Sequence, residues 1–418
     1  MKKKLLALAV AGAFIAPVAM ADTANVQIYG QANVSFDSVD SASTTAGAGG
    51  SRNSKISSNV SRIGFKGSES LGGGTSAIWQ IESLVNMDNS GTNGNGFGTR
   101  NTFAGLSGEG WGSLKLGRMD TMYNEATRRL DLFDETIADN RSLMGGVGFS
   151  AATLATIVAG NAVGATAAQI AAKTAAQNGL VGSVTSGMGF DTRPGDSVVY
   201  TSPTMSGFGV GLQYVAGSET KTSSTGTRGS AYSIDGTYNA GPIYVALAYQ
   251  NNKIGAAGSG TMGGGSATID STESAWKLGG SYTMDQFQVV AAYERTKDDF
   301  NKPAGDEDMF GHHTWYLGGK FNVTGSDAIK LAYTKMNEIN GGGATKNNTG
   351  AKQITVGYDH AMSKRTTVYA LYTKLNNDNA AAYGLSNAGL TAESTGGTAA
   401  TGLGADPTAF SIGMKHTF

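Results

Sequence analysis

Apolar and polar residues alternate along this chain with a period of two, over stretches of roughly nine to eleven residues, the length of a tilted strand crossing a bilayer. Val26, Ile28 and Gly30 alternate with Gln27, Tyr29 and Gln31, and similar runs cover Ser61 to Gly67, Thr75 to Val85, Thr99 to Leu106 and Gly112 to Arg118. After a long interruption the pattern resumes from Ser197 to Thr201, Phe208 to Val215, Ala231 to Tyr238, Ile243 to Tyr249 and Ser274 to Tyr282. It continues through Phe287 to Arg295, Thr314 to Val323, Ala328 to Met336, Gln353 to His360, Thr367 to Leu375 and Phe410 to Phe418. The pattern predicts an all-β fold of about sixteen antiparallel strands, an even number as bacterial transmembrane barrels have.

The connections alternate as well. Tight turns such as Gly72-Gly73-Gly74, Glu109-Gly110, Ala240-Gly241-Pro242, Met284-Asp285 and Gly325-Ser326 are interleaved with long Gly/Ser/Asn-rich loops at Ser38 to Ser54, Asn251 to Ser271, Lys297 to Gly311 and Asn376 to Thr408. Short periplasmic turns on one rim and long extracellular loops on the other are the asymmetry of a membrane barrel. A closed sheet also pairs every backbone group without leaving an edge in lipid.

Charges should then follow the polar faces, because Lys or Arg facing lipid at mid-bilayer costs about 2–4 kcal/mol. Arg62 and Lys66 alternate with Ile63 and Phe65, and Arg100 is opposite in parity to Phe103. Arg118 shares the parity of Leu114 and Leu116, so a bulge or a place above the apolar band is expected there. In the last strand Phe410, Ile412, Met414, His416 and Phe418 share one face, a terminal pattern that resembles the sorting signal of outer-membrane barrels.

The N-terminus adds a destination. Lys2 to Lys4, an apolar run from Leu5 to Ile15 and Ala19-Met20-Ala21 read as a signal peptide over residues 1–21, leaving one domain over residues 22–418. Losing three lysines takes Lys+Arg from 31 to 28 against 32 acids, a formal charge of −4 with no basic footprint for nucleic acid. No cysteine is present, which excludes disulfides, thiolate metal sites and a Cys nucleophile. His312 and His313 are adjacent in a strand and point to opposite faces, so they make no metal site. No nucleophile and base pairing is visible.

The interruption from Gly117 to Arg193 stands apart. It opens with a burst of alternating charge from Asp120 to Arg141 and continues as an Ala/Gly/Thr tract from Ser150 to Gly189. Flanked by alternation on both sides, residues 119–195 read as the third long loop of the barrel. The Ala-rich tract reads as a loosely packed extracellular insertion or as a partial plug.

These residues resemble the Gram-negative general porins, particularly their β-proteobacterial branch. The matching pieces are Ile28-Tyr29-Gly30, Ser61 to Gly67 with Glu69 to Gly72, Arg100 to Leu106, Leu116-Gly117-Arg118, Arg193 with Asp196 to Pro203, and the terminal Phe418. The resemblance implies a homotrimer of sixteen-stranded barrels in the outer membrane of a Gram-negative bacterium, among lipid and lipopolysaccharide and assembled through Phe418 by the barrel-assembly machinery. It implies a passive channel without a cofactor, narrowed by an inward-folded third loop. Carried over by position, the wall cations are Arg62, Arg100 and Arg193 and the loop acids Asp131 and Glu135, with Lys66, Arg118 and Asp134 as weaker candidates.

Two departures stand out. Gln31 occupies the place of a first-strand lysine, and the Pro-Glu-Phe-Gly-Gly turn of enterobacterial relatives is missing, with Asp134 where Pro would stand. Two readings of the charges remain open. The arginines set a transverse field against the loop acids, or they are paired locally, with Arg128, Arg129 and Arg141 fastening the loop. The expected activity is diffusion of small hydrophilic solutes, filtered by size and charge with a weak preference for anions. A channel specific for an organic anion or sugar, and a surface β adhesin without a pore, are the alternatives.

Overall fold

The computed structural model describes residues 25–42, 52–88, 97–145, 190–216, 229–254, 271–299, 308, 310–340, 347–385 and 402–418. The expected signal peptide and the Ala-rich tract lie outside the described residues. The strands are β1 (Asn25–Asp40), β2 (Arg52–Ser58), β3 (Arg62–Gly72), β4 (Thr75–Leu84), β5 (Thr102–Gly108), β6 (Gly112–Arg118), β7 (Ser197–Thr201), β8 (Phe208–Val215) and β9 (Ser230–Ala240). They continue as β10 (Ile243–Ile254), β11 (Ser271–Met284), β12 (Phe287–Asp298), β13 (His313–Asn322), β14 (Asp327–Met336), β15 (Ala351–Ala361), β16 (Thr366–Asn377) and β17 (Thr408–Thr417).

From β3 to β17 each strand pairs antiparallel with the next, and β1 pairs with β17 from Gln31↔Thr417 to Asp40↔Thr408, which closes the sheet into a barrel. Seventeen segments make sixteen staves, because β2 and β3 share the other edge of β1. β2 covers Val34 to Asp40 and β3 covers Asn25 to Gln31. Between them Asn59 donates its N–H to Asn33 O at 2.8 Å, and Ser61 Oγ takes the N–H of Asn33 at 2.9 Å. Such an irregularity bends a strand and re-aims the next side chain, and the next side chain here is Arg62.

The burial pattern is inverted relative to a water-soluble sheet. Outward Leu317 is 57% exposed while inward Thr314 is 0%, and along β17 outward Phe410, Ile412 and Met414 alternate with buried Ala409 and Ser411. An apolar outer face and a polar lumen are what lipid outside and water inside select. Aromatic residues rim the apolar face. Tyr293 packs at 5.0 Å on Trp276 and 4.3 Å on Trp315 towards the loop end, and Phe208–Tyr238 and Phe287–Phe321 pack at 4.6 and 4.7 Å towards the turn end. The C-terminus seals the seam: Gly30 and Phe418 exchange N–H···O bonds of 3.0 and 3.1 Å, and the Phe418 ring lies where a β-carbon on Gly30 would be.

The loop ends differ from expectation in extent. The hairpin of β1 and β2 runs on to Asp40 and Arg52, well into the expected loop from Ser38 to Ser54. Within the expected loop from Asn376 to Thr408, Ala381, Tyr383 and Leu385 are buried.

Candidate functional site

Loop 3 leaves β6 at Arg118 and turns inward. Its first element, α1 (Met122–Arg128), begins where Thr121 Oγ1 accepts the N–H of Asn124 at 3.2 Å. Seven residues are too few for a helix to persist alone in water, and α1 is held by burying Met122, Tyr123 and Ala126 against the wall. Tyr244 OH donates to Ala126 O at 2.5 Å, and Tyr123 OH donates to Glu294 at 2.7 Å. Leu130, Phe133 and Ile137 extend this apolar contact to Tyr316 and Val290 on the wall. The loop's two arms meet again where Phe190 N donates to Gly145 O at 2.9 Å.

The tip is the turn at Asp134-Glu135, with Glu135 in the left-handed region at φ 57°. That conformation costs a non-glycine residue about 1–2 kcal/mol, and the contacts of the side chain offset it. Glu135 Oε1 lies 2.5 Å from Arg62, while Oε2 accepts from Gln31 at 2.7 Å and from Lys415 at 2.7 Å. Burial pushes the Glu135 carboxyl up, but Lys415 and Arg62 outweigh it and hold the group ionised well below the usual carboxylate range. Behind the tip Asp139 binds Arg128 and Arg141, and Arg128 also binds Asp134.

The wall facing the tip carries the other half of the site. Arg100 Nε lies 2.6 Å from Glu82, which also accepts from Tyr29 OH at 2.9 Å and stands 3.9 Å from Arg62. Arg193 pairs with Asp120 at 2.7 Å and donates to Asn101 Oδ1 at 2.8 Å. Between loop and wall is a space of about 210 Å³ lined, among the described residues, by the guanidiniums of Arg62, Arg100, Arg128, Arg141 and Arg193 and the carboxylates of Glu82, Asp120, Asp134 and Glu135.

The structure thus brings Arg62, Arg100 and Arg193 together with Glu135 and Asp134. Asp131 lies elsewhere: it is buried under the loop, accepting the N–H groups of Phe133 at 2.9 Å and Asn140 at 2.8 Å, beside a second space of about 250 Å³. Its burial, together with neighbouring Asp139, raises its pKa to about 6. Lys66 is exposed with its ammonium 5.1 Å from the Tyr29 ring, and half-buried Arg118 ends β6 beyond Gly117 in unbroken register with Thr102, without the expected bulge; neither lines the 210 Å³ space. Glu82 and Lys415 were not singled out from the sequence, and Asp120 entered only as the start of the charge burst. The polar parity of Glu82 and Lys415 was visible, but not their height in the lumen. Lys415 brings an ammonium to Glu135 from the stave adjoining Gln31.

A lumen lined by paired charges and narrowed by a docked loop is the architecture of a diffusion channel. The description of Gram-negative porins matches residues 7–380. The chain belongs to the Gram-negative porin family. Among its relatives, outer membrane porin protein 32 of Delftia acidovorans is 29% identical over 427 residues, covering 100% of both chains. An outer membrane porin protein of Bordetella pertussis is 27% identical over 415 residues, covering 88% of this chain and 93% of the other. The anion-selective porin from Comamonas acidovorans shares the fold with a TM-score of 0.67 at 23% identity, over 94% of this chain and 100% of that one. This porin is therefore an outer-membrane channel through which small hydrophilic solutes diffuse passively, and the reading as a poreless adhesin is set aside.

Proposed function

We propose that the space between the tip of loop 3 and the arginine wall is the selectivity filter of this porin, and that it favours anions weakly. The observation that carries this is the lining itself, five guanidiniums against four carboxylates around about 210 Å³, with the Lys415 ammonium at its edge. Nearly every charge has a partner, so selectivity comes from a transverse field between two arrays and a small cationic excess. The weak preference agrees with the anion selectivity of the Comamonas acidovorans porin, whose fold is similar. In this reading Arg62, Arg100, Arg193, Asp134 and Glu135 act at the filter, and Asp131 acts indirectly by bracing the loop.

The remaining expectations fit the same reading: a homotrimer, contact with lipopolysaccharide through the outer surface, and recognition of Phe418 during assembly. The test is a reversal potential across a planar bilayer in a salt gradient, for wild type and Arg62→Ala. Wild type should reverse on the anion side, and Arg62→Ala should move towards zero; a clear cation preference in wild type refutes the proposal. Saturable block of conductance by one organic anion would instead identify a solute-specific channel.

A further inference from the structure

Glycine inside a strand packs nothing and loosens the backbone, and one of its uses there is to admit a close approach. Four staves of this barrel carry a buried glycine on the lumen face where loop 3 presses on them: Gly211 in β8, Gly279 in β11, Gly318 in β13 and Gly357 in β15. A methyl group at these positions would lie 2.4 Å from Met122 Sδ, 2.4 Å from Leu130 Cδ1, 2.9 Å from Leu132 Cδ1 and 2.6 Å from Phe133 Cε1 respectively. At Gly211 and Gly318 a wall side chain is nearer still, Asp235 and Val290 respectively, so loop and wall share those two spaces, whereas at Gly279 and Gly357 the loop side chain is the nearest neighbour. Gly319, facing the other way one residue along from Gly318, has nothing within 4 Å of the same added atom.

Hydrogen bonds act at the same place but set a different coordinate. Leu132 N donates to Tyr316 OH at 2.9 Å, and Leu132 O accepts from Lys330 Nζ at 2.9 Å. These fix the loop's register along the wall. How closely the loop lies on the wall is decided by the side chains beneath it, and Phe133, a rigid ring 1% exposed, is two residues from Glu135.

We propose that Gly211, Gly279, Gly318 and Gly357 are a row of sockets that seat loop 3 and so set the width of the filter and the reach of Glu135 to Arg62 and Lys415. They are positioning residues, and the inference rests on the reading of the tip and arginine wall as the filter. Side chains in the sockets would lift the loop off the β8–β15 wall towards the arginines. At Gly357 an added carbon must gain roughly 1 Å from the Phe133 ring to reach ordinary contact distance.

The test is single-channel conductance and reversal potential of the folded full-length protein, with heat-modifiable migration in detergent gels reporting folding. Gly357→Val should lower conductance by roughly a fifth, as narrowing one side of a small opening does, and shift the reversal potential. Gly357→Val with Phe133→Ala should recover both, and Gly319→Val should match wild type. If Gly357→Val does not fold, Gly279→Ala with and without Leu130→Ala gives the same comparison. Wild-type behaviour of the folded single variant, or a defect that the second substitution leaves unrelieved, overturns the sockets. Arg62→Ala separates the two ideas. A shift with Arg62→Ala but none with Gly357→Val sinks the sockets alone, whereas the reverse sinks the filter and leaves the sockets.

Discussion

Replacing Glu135 with Gln removes a carboxylate that Arg62, Gln31 and Lys415 share, at 2.5, 2.7 and 2.7 Å. The shape is kept and the loop stays anchored through Tyr316, Lys330, Tyr244 and the apolar contacts of Leu130 and Phe133. What changes is one unit of negative charge beside the proposed filter. At about 5 Å from a passing ion in water-like surroundings, one unit charge is worth roughly 0.8 kcal/mol, and about 0.5 kcal/mol after screening at 0.1 M salt. That is a factor of about two for each ion and, since anions gain what cations lose, about fivefold in the anion-to-cation permeability ratio. The assay is the reversal potential in a tenfold KCl gradient, which should move towards the chloride equilibrium potential by on the order of 20 mV. A potential unchanged from wild type, in a channel whose conductance shows the loop still docked, would refute the placement of Glu135 in the ion path. A shift towards cations would refute the sign of the field.

Three further outcomes follow from the same geometry. Between pH 7 and 5 the loop should take up one proton as Asp131 passes its pKa of about 6. The docked loop binds that proton and a released loop, titrating near 3.9, does not, so docking strengthens as pH falls through 6. The resistance of the loop to proteolysis should rise over the same range, and Asp131→Asn should abolish its dependence on pH. Glu135, whose carboxyl is held far below the usual range, contributes fully above its unfolded pKa near 4.3 and is lost only in stronger acid, so no second step should appear above about pH 4. Phe418→Ala removes the ring from Gly30 at the seam; the fraction of heat-modifiable, folded barrel after refolding should drop by half or more, and a normal yield would count against the seam's role. Joining Gly145 to Phe190, whose backbones already pair, should delete residues 146–189 without altering the reversal potential, because the charges of the proposed filter, among the described residues, come from the wall and from Asp120 to Arg141.

The arginines were legible in part because each sits in a piece with a recognisable neighbourhood, and Asp131 was chosen for the same reason. Position in a motif placed it on the loop, whereas the fold buries it there, where it accepts the backbone N–H groups of Phe133 and Asn140 and stays outside the space between tip and arginine wall. Glu82 and Asp120 were as charged and as inward as the residues chosen, but nothing local ranks one inward charge above another.

By itself the sequence determined the strands, their faces, the alternation of turns and loops and the sealed terminus. A strand's side-chain period is two and depends on nothing distant, so lipid and water leave their marks residue by residue. Tertiary structure alone decided which charges meet. Lys415 and Glu135 stand 280 residues apart and touch only because β17 closes on β1 and loop 3 crosses the lumen to that seam. The glycines of the wall are likewise unremarked in their own strands and acquire a purpose only beneath Met122, Leu130, Leu132 and Phe133. Register and closure are sums over the whole sheet, and a filter assembled from opposite ends of a chain is written in those sums.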